Sequence, residues 1–216
     1  MAIGTVEGSV VQAVLQFFLY ALTAVFAENV IFSRALGMSS LLRLVNDPSI
    51  KTWQYCGPVI FVQLGSAPLG WAAHNLLFPW LKTVLPGWLP AAALRPLVYL
   101  SCSTAVMAVV WLVLGFWPAA SRKIYRDQLP GATYNCCVLG TVLICANQNF
   151  TLLQTLGFGL GSGIGYLVAV LVVDEGRRRL MSKDVPAIFK GLPAALIYVG
   201  ILSLALYGLL GHAVTA

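Results

Sequence analysis

Charge is what this chain has least of. Charged residues make up 9% of the 216, and only seven of them are acidic, where soluble domains carry about a quarter charged residues. That excludes a soluble globular protein, and 59% hydrophobic residues leave an integral membrane protein. Alternating segments of about ten residues are also missing, so a transmembrane barrel is excluded and long apolar runs point to helices. The expected class is all-α. Before the first apolar run stand Glu7 and small residues but no basic residue, so the positive start of a secretory signal is absent and the first span is expected to stay. Five cysteines, Cys56, Cys102, Cys136, Cys137 and Cys145, make an odd count within or beside apolar runs, which argues against a disulfide framework. No C-x-x-C pair and no His/Cys zinc spacing occurs, so a self-contained metal site has little support. Cys56, Cys102 and Cys145 read as small apolar fillers.

Six apolar runs are present: Val10–Phe32, Tyr55–Phe78, Leu97–Trp117, Ala132–Ala146, Leu152–Val173 and Leu192–Leu210. Taking alternate connections, 11 of the 13 basic residues fall on one side and only Lys82 and Arg95 on the other. Basic loops stay cytoplasmic, so six spans with both termini outside are expected. The net charge of +6 then belongs to one face and marks topology and contact with the lipid bilayer, not nucleic-acid binding. The fourth run is too short for the roughly 20 residues that a helix needs to cross. It is also polar at its start, with Thr133, Tyr134 and Asn135 ahead of Cys136 and Cys137.

The first run is interrupted in the same way by Glu28 and Asn29, then by Leu36-Gly37-Met38-Ser39-Ser40. Three spans per half give two inverted repeats, 1–117 and 118–216, with discontinuous first and fourth helices. Paired broken helices at corresponding positions point to a midplane site, with Asn29 and Asn135 facing each other across a pseudo-two-fold axis. Glu28 has two readings: a headgroup-zone partner of Arg34, or an ionisable group on a pathway. His74 and Asn75 read mainly as interfacial anchors, with a proton relay as the alternative. Glycines at every second position from Gly157 to Gly165 resemble a nucleotide loop, but no strand precedes them, and close helix packing is the better reading.

The segments AENVIFSRALGMSS, LPGATYNCCVLG, GFGLGSGIGYLVAVLV and KDVPAIFKG resemble the six-helix membrane proteins of Rnf and Nqr ion-translocating electron-transport complexes, the A and E components of Rnf and the D and E components of Nqr. That resemblance implies a bacterial cytoplasmic membrane protein, a homologous partner of opposite orientation and other subunits of such a complex. It further implies a [2Fe-2S] cluster held by one cysteine from each broken helix of two subunits, a soft-donor set that suits iron–sulfur chemistry. Cys136 matches one of those ligands, whereas the other position is Ser39 here. A serine hydroxyl is a poor iron ligand, and Cys137 does not substitute for it because neighbours on a helix point about 100° apart. Arg178 also stands where the family carries an acid. The expected function is a membrane subunit coupling electron transfer to cation translocation, since no nucleotide, flavin or quinone motif supports a stand-alone enzyme. The alternatives are a cluster-free small transporter or channel-like homodimer with Glu28, Asn29 and Asn135 as its polar path, and a purely structural assembly role.

Overall fold

In a computed structural model of the chain, residues 2–46, 51–84, 91–116, 119–180, 186 and 191–210 are described, and every element among them is helical. The order is α1 (Ala2–Val25), α2 (Val30–Arg34), α3 (Met38–Asn46), α4 (Thr52–Ala72), a π-helical stretch (Ala73–Leu77), α5 (Phe78–Val84), a 3-10 turn (Ala91–Leu94), α6 (Arg95–Leu114), α7 (Ala119–Thr133), α8 (Cys136–Asn147), α9 (Leu152–Leu180) and α10 (Leu192–Leu210). Three stretches, Thr52–Leu81, Arg95–Leu114 and Leu152–Leu180, are long and apolar enough to cross a membrane, and the bent pair α7–α8 adds a fourth. The first and sixth expected spans appear as shorter apolar helices, Val11–Val25 and Leu192–Gly208. Among the described residues, helix length and composition therefore support up to four crossings of the expected six, since the first apolar run stops being helix at Val25 and the sixth gives an apolar stretch of Leu192–Gly208 only.

α9 is the axis of the bundle, and its glycines explain why. Gly157 and Gly161 lie against α1, where an added Cβ at Gly161 would meet the Ala21 carbonyl oxygen and come within 2.7 Å of its Cα. Gly159 and Gly163 lie against α4, where the nearest atoms to such a Cβ are Ala67 Cβ at 2.8 Å and Gln63 Oε1 at 3.1 Å. Alternation along a helix turns successive glycines about 200° apart, so one run of small residues lets two helices approach from opposite sides. The packing reading of the glycines is thus the one the structure has.

Two segments that lie between the six apolar runs are helix. Residues 119–130, with their basic side chains in sequence, form most of α7, which carries Pro130 inside it. Arg126 from this helix stacks over the Trp111 ring at 3.7 Å. α9 runs past Asp174 to Leu180, and Asp174 pairs with Arg177 at 3.5 Å and Arg178 at 3.0 Å, Glu175 with Arg179 at 3.3 Å. Acids placed three and four residues before arginines support a helix, which carries the charged end onward. Of the motif KDVPAIFKG only Pro186 and Gly191 are described; Lys183, Asp184 and Lys190 lie outside the described residues, as do residues 85–90.

Candidate functional site

Both expected breaks are present, and an asparagine caps the helix after each. At the first, α1 ends at Val25, and the Glu28 N–H reaches back to the Thr23 carbonyl at 2.7 Å in a widened last turn. Asn29 then caps α2: its Oδ1 accepts the Ile31 N–H at 3.1 Å. Its Nδ2 donates to the Val25 carbonyl at 2.9 Å and to the Gly165 carbonyl of α9 at 3.0 Å. A break at membrane depth leaves backbone groups that lipid cannot satisfy. One side chain here serves the end of α1, the start of α2 and the neighbouring α9.

At the second break α7 and α8 meet at 45°. Asn135 caps α8, its Oδ1 accepting the Cys137 N–H at 3.0 Å, while its buried Nδ2 has no hydrogen-bond partner. The turn that follows α2 touches the second break. Gly37 sits at φ +83°, and a Cβ there would come within 2.7 Å of Asn135 Oδ1, 3.1 Å of the Tyr166 ring and 3.2 Å of Cys137 Cβ. Only glycine fits a left-handed backbone pressed so closely on another element. Each asparagine is therefore set against α9, Asn29 through the Gly165 carbonyl and Asn135 alongside Tyr166.

Ser39 and Cys136 occupy the first turns of α3 and α8, just past this contact, and both are exposed. Cys137 is fully buried and points the other way, its Sγ 3.5 Å from Gln63 Nε2 and 4.0 Å from Ser162 Oγ. It does not stand in for Ser39, as the helical geometry of neighbours requires. The chain thus presents one outward thiol and one hydroxyl where a cluster shared between two subunits would draw two thiolates. Among the described residues no group of three or more His, Cys, Asp or Glu is placed to hold a metal ion. This donor set does not fit a four-thiolate cluster. All five cysteines are free; Cys56 and Cys145 are buried and Cys102 partly so, in keeping with a filler role.

Glu28 lies 3.9 Å from Arg34, with the two side chains 36% and 48% exposed, and Glu28 Oε2 makes no hydrogen bond. That is the partnered arrangement of the first reading, at a long distance. His74 Nδ1 is 3.1 Å from the Tyr99 hydroxyl, and Asn75 Nδ2 donates to the Trp71 carbonyl at 3.1 Å.

Sequence reasoning missed a buried polar cluster next to the second break. Gln63 of α4 donates from Nε2 to Thr141 Oγ1 at 2.6 Å and to Ser162 Oγ at 2.8 Å; these two hydroxyls are 2.8 Å apart. All three residues are at most 1% exposed. The available signal was the lone Gln63 in an apolar run, together with Cys137 and Thr141 four residues apart on one helix face.

A family model described as Rnf-Nqr subunit, membrane protein, matches residues 17–212. The chain belongs to the Rnf-Nqr family. Its relatives include the E component of the Na(+)-translocating NADH-quinone reductase of Psychromonas ingrahamii, 29% identical over 84% of this chain and 91% of that protein. The same component from a Psychrobacter species is 30% identical over 85% and 91%. The A component of the ion-translocating oxidoreductase complex of Aromatoleum aromaticum is 26% identical over 93% and 99%. Membership of this Rnf-Nqr family makes the chain a membrane protein and gives the paired breaks a family context. The match covers both of them.

Proposed function

We propose that this Rnf-Nqr protein is a membrane subunit of an ion-translocating electron-transport complex in the bacterial cytoplasmic membrane. Its role is to couple electron transfer to cation movement beside a homologous subunit of opposite orientation. The observation that carries this reading is the contact of the Gly37 turn, which follows the first asparagine-capped break and α2, with the second asparagine-capped break at Asn135. Half-helix ends brought together inside a membrane protein expose helix dipoles and backbone groups to a shared interior, and the names of the relatives, a Na(+)-translocating NADH-quinone reductase and an ion-translocating oxidoreductase complex, put ion movement and redox chemistry beside it as context. In this reading α1–α2 and α7–α8 are the broken first and fourth of six spans, both termini lie outside, and Glu28, Asn29 and Asn135 line the cation's route.

The missing second thiol favours a further reading, a cluster-free relative with the same cation path. Ser39 is the position that separates the two. Purification of the chain with its genomic neighbours, followed by iron and acid-labile sulfide analysis, tests them. For a chain short of a ligand, we expect substoichiometric iron in the native protein and a gain on Ser39→Cys that is lost again in Ser39→Cys/Cys136→Ala. A full iron complement that survives Cys136→Ala removes this site from the redox chemistry. Flux in proteoliposomes that needs no electron donor yet falls in Glu28→Gln moves the protein to the cluster-free class.

A further inference from the structure

The end of the bundle where α8 stops and α9 begins holds a pocket of about 40 Å³. Asn75 and Asn149 are exposed at its rim, and Cys145, Ala146 and Thr155 are buried at its base. Its walls are fixed by the chain around them. Trp71 Nε1 donates to the Phe150 carbonyl at 3.1 Å, and Asn149 turns the chain at φ +52°, a left-handed value that asparagine tolerates. His74 comes from the π-helical stretch and is held by Nδ1 against the Tyr99 hydroxyl, which leaves Nε2 as its other polar atom.

At the base stands a hydroxyl with no partner. Thr155 is 0% exposed and its Oγ1 makes no hydrogen bond. Every other buried serine and threonine among the described residues, Ser66, Ser103, Thr133, Thr141 and Ser162, has one. A buried hydroxyl left unbonded is costly, and a cavity needs only about 10–15 Å³ to admit a water. Thr155, His74 and the two asparagines supply the roughly two to four polar partners that such a water takes.

Cys145 faces two ways. It lines the pocket, and it also packs with Ala24, Ile144 and Phe158 in an apolar cluster. Ala24 stands one turn of chain before Glu28, whose carboxylate is close enough to act electrostatically on the Cys145 thiol. Glu28 Oε2 is itself buried without a hydrogen bond. Arg95 reaches Asn147 at 3.4 Å beside the same loop, so the pocket opens at the end with few basic residues, the end that the charge bias puts outside.

We infer that this pocket is a water-filled vestibule through which the outer solution reaches Cys145 and, behind it, Glu28. The inference rests on the reading of Glu28 as part of the cation's route, and it gives that route its outer end.

X-ray footprinting of the intact complex in native membranes, read residue by residue by mass spectrometry, tests the hydration, because hydroxyl radicals form from water beside the side chain that they oxidise. Cys145 is expected to be oxidised about tenfold faster than Cys56, which is packed in the apolar core, because ordered water stands beside one thiol and not the other. Ala146→Leu fills the base of the pocket, brings Cys145 down to the rate of Cys56 and lowers cation flux through the reconstituted complex severalfold. Thr155→Val keeps the volume, takes away the hydroxyl that holds the water, and lowers the Cys145 rate severalfold. Equal rates at Cys145 and Cys56 in the native complex, or a Thr155→Val protein that resists unfolding better than the native one, mean a dry pocket and overturn the inference. Full flux in Ala146→Leu with Cys145 protected takes the pocket off the route and overturns it as well. Native flux indifferent to Glu28→Gln strikes instead at the role given to Glu28, and the footprint at Cys145 then decides the hydration by itself.

Discussion

Replacing Gly161 by alanine tests whether α9 organises the bundle through its glycines. The new methyl group would sit 2.7 Å from Ala21 Cα and 2.8 Å from its carbonyl carbon, whereas carbons pack at about 3.5 Å or more. The obstacle is backbone, so no rotamer change relieves it; α1 must withdraw by about 0.8 Å or more along the face it shares with α9. Overpacking of this kind costs up to about 3 kcal/mol, and alanine recovers about 1 kcal/mol over glycine inside a helix. The net expectation is a loss of about 2 kcal/mol. Gly200→Ala in α10 meets nothing within 4 Å and should gain up to about 1 kcal/mol from propensity alone. Gly159→Ala is the diagnostic intermediate. Its Cβ meets Ala67 Cβ at 2.8 Å, a side chain that can be trimmed, so Gly159→Ala/Ala67→Gly should recover most of the loss. No such partner exists for Gly161→Ala. Unfolding of the purified chain in mixed micelles by SDS measures all four variants. If Gly161→Ala matches Gly200→Ala within about 0.5 kcal/mol, the spread of a surface substitution, the two-sided glycine packing is not what holds α1.

The remaining expectations concern the breaks and the polar cluster. Asn135→Ala removes a helix cap and should cost about 1 kcal/mol, while Asn29→Ala also strands the Val25 and Gly165 carbonyls and should cost about twice that; equal losses in the same unfolding assay would refute the threefold role of Asn29. Gln63→Leu takes its own unpartnered Oε1 out of the core and leaves Thr141 and Ser162 bonded to each other, so a change within about 1 kcal/mol is expected. Thr141→Val strands an amide donor and should destabilise by about 1–3 kcal/mol; the reverse order would refute the assignment of bonds in the cluster. Gly37→Ala forces a methyl group onto Asn135 Oδ1, so the first turn of α8 should shift and the maleimide labelling rate of Cys136 should change severalfold while Cys137 stays protected. An unchanged rate at Cys136 means that the Gly37 turn and the second break are mechanically independent.

Much of this architecture was legible in the residues, for reasons that differ by element. The breaks were visible because asparagine ahead of an apolar run is both a helix interruption and a strong N-cap, and the structure has that local geometry at Asn29 and Asn135. The glycine run was visible as packing, but its division between α1 and α4 was not, since alternation says that two faces are small without saying what covers them. α7 was hidden because charges and Pro130 are signals of a loop. A helix near an interface keeps its backbone bonds internal whatever its side chains, and Arg126 finds Trp111 for a partner. The Gln63 cluster was hidden for the opposite reason. Each member is a single uncharged polar residue in an apolar run, and only the meeting of α4, α8 and α9 makes them one group.

The neighbouring thiols show what such contacts add. A sequence offers Cys136 and Cys137 as equivalent neighbours, and one helical step separates a surface from a core. Cys137 is tied into that core by Gln63 on one side and by Gly37 packed on its Cβ on the other, so the rotation of α8 about its axis is fixed twice. With that rotation fixed, Cys136 must face outward beside α3, whose first turn carries Ser39. An outward pair on two half-helix starts has chemistry only with something that comes from outside the chain. A ligand, ion or partner that came to this point would meet one soft donor and one hard one, and restoring the second thiol is the change that would alter which of them binds.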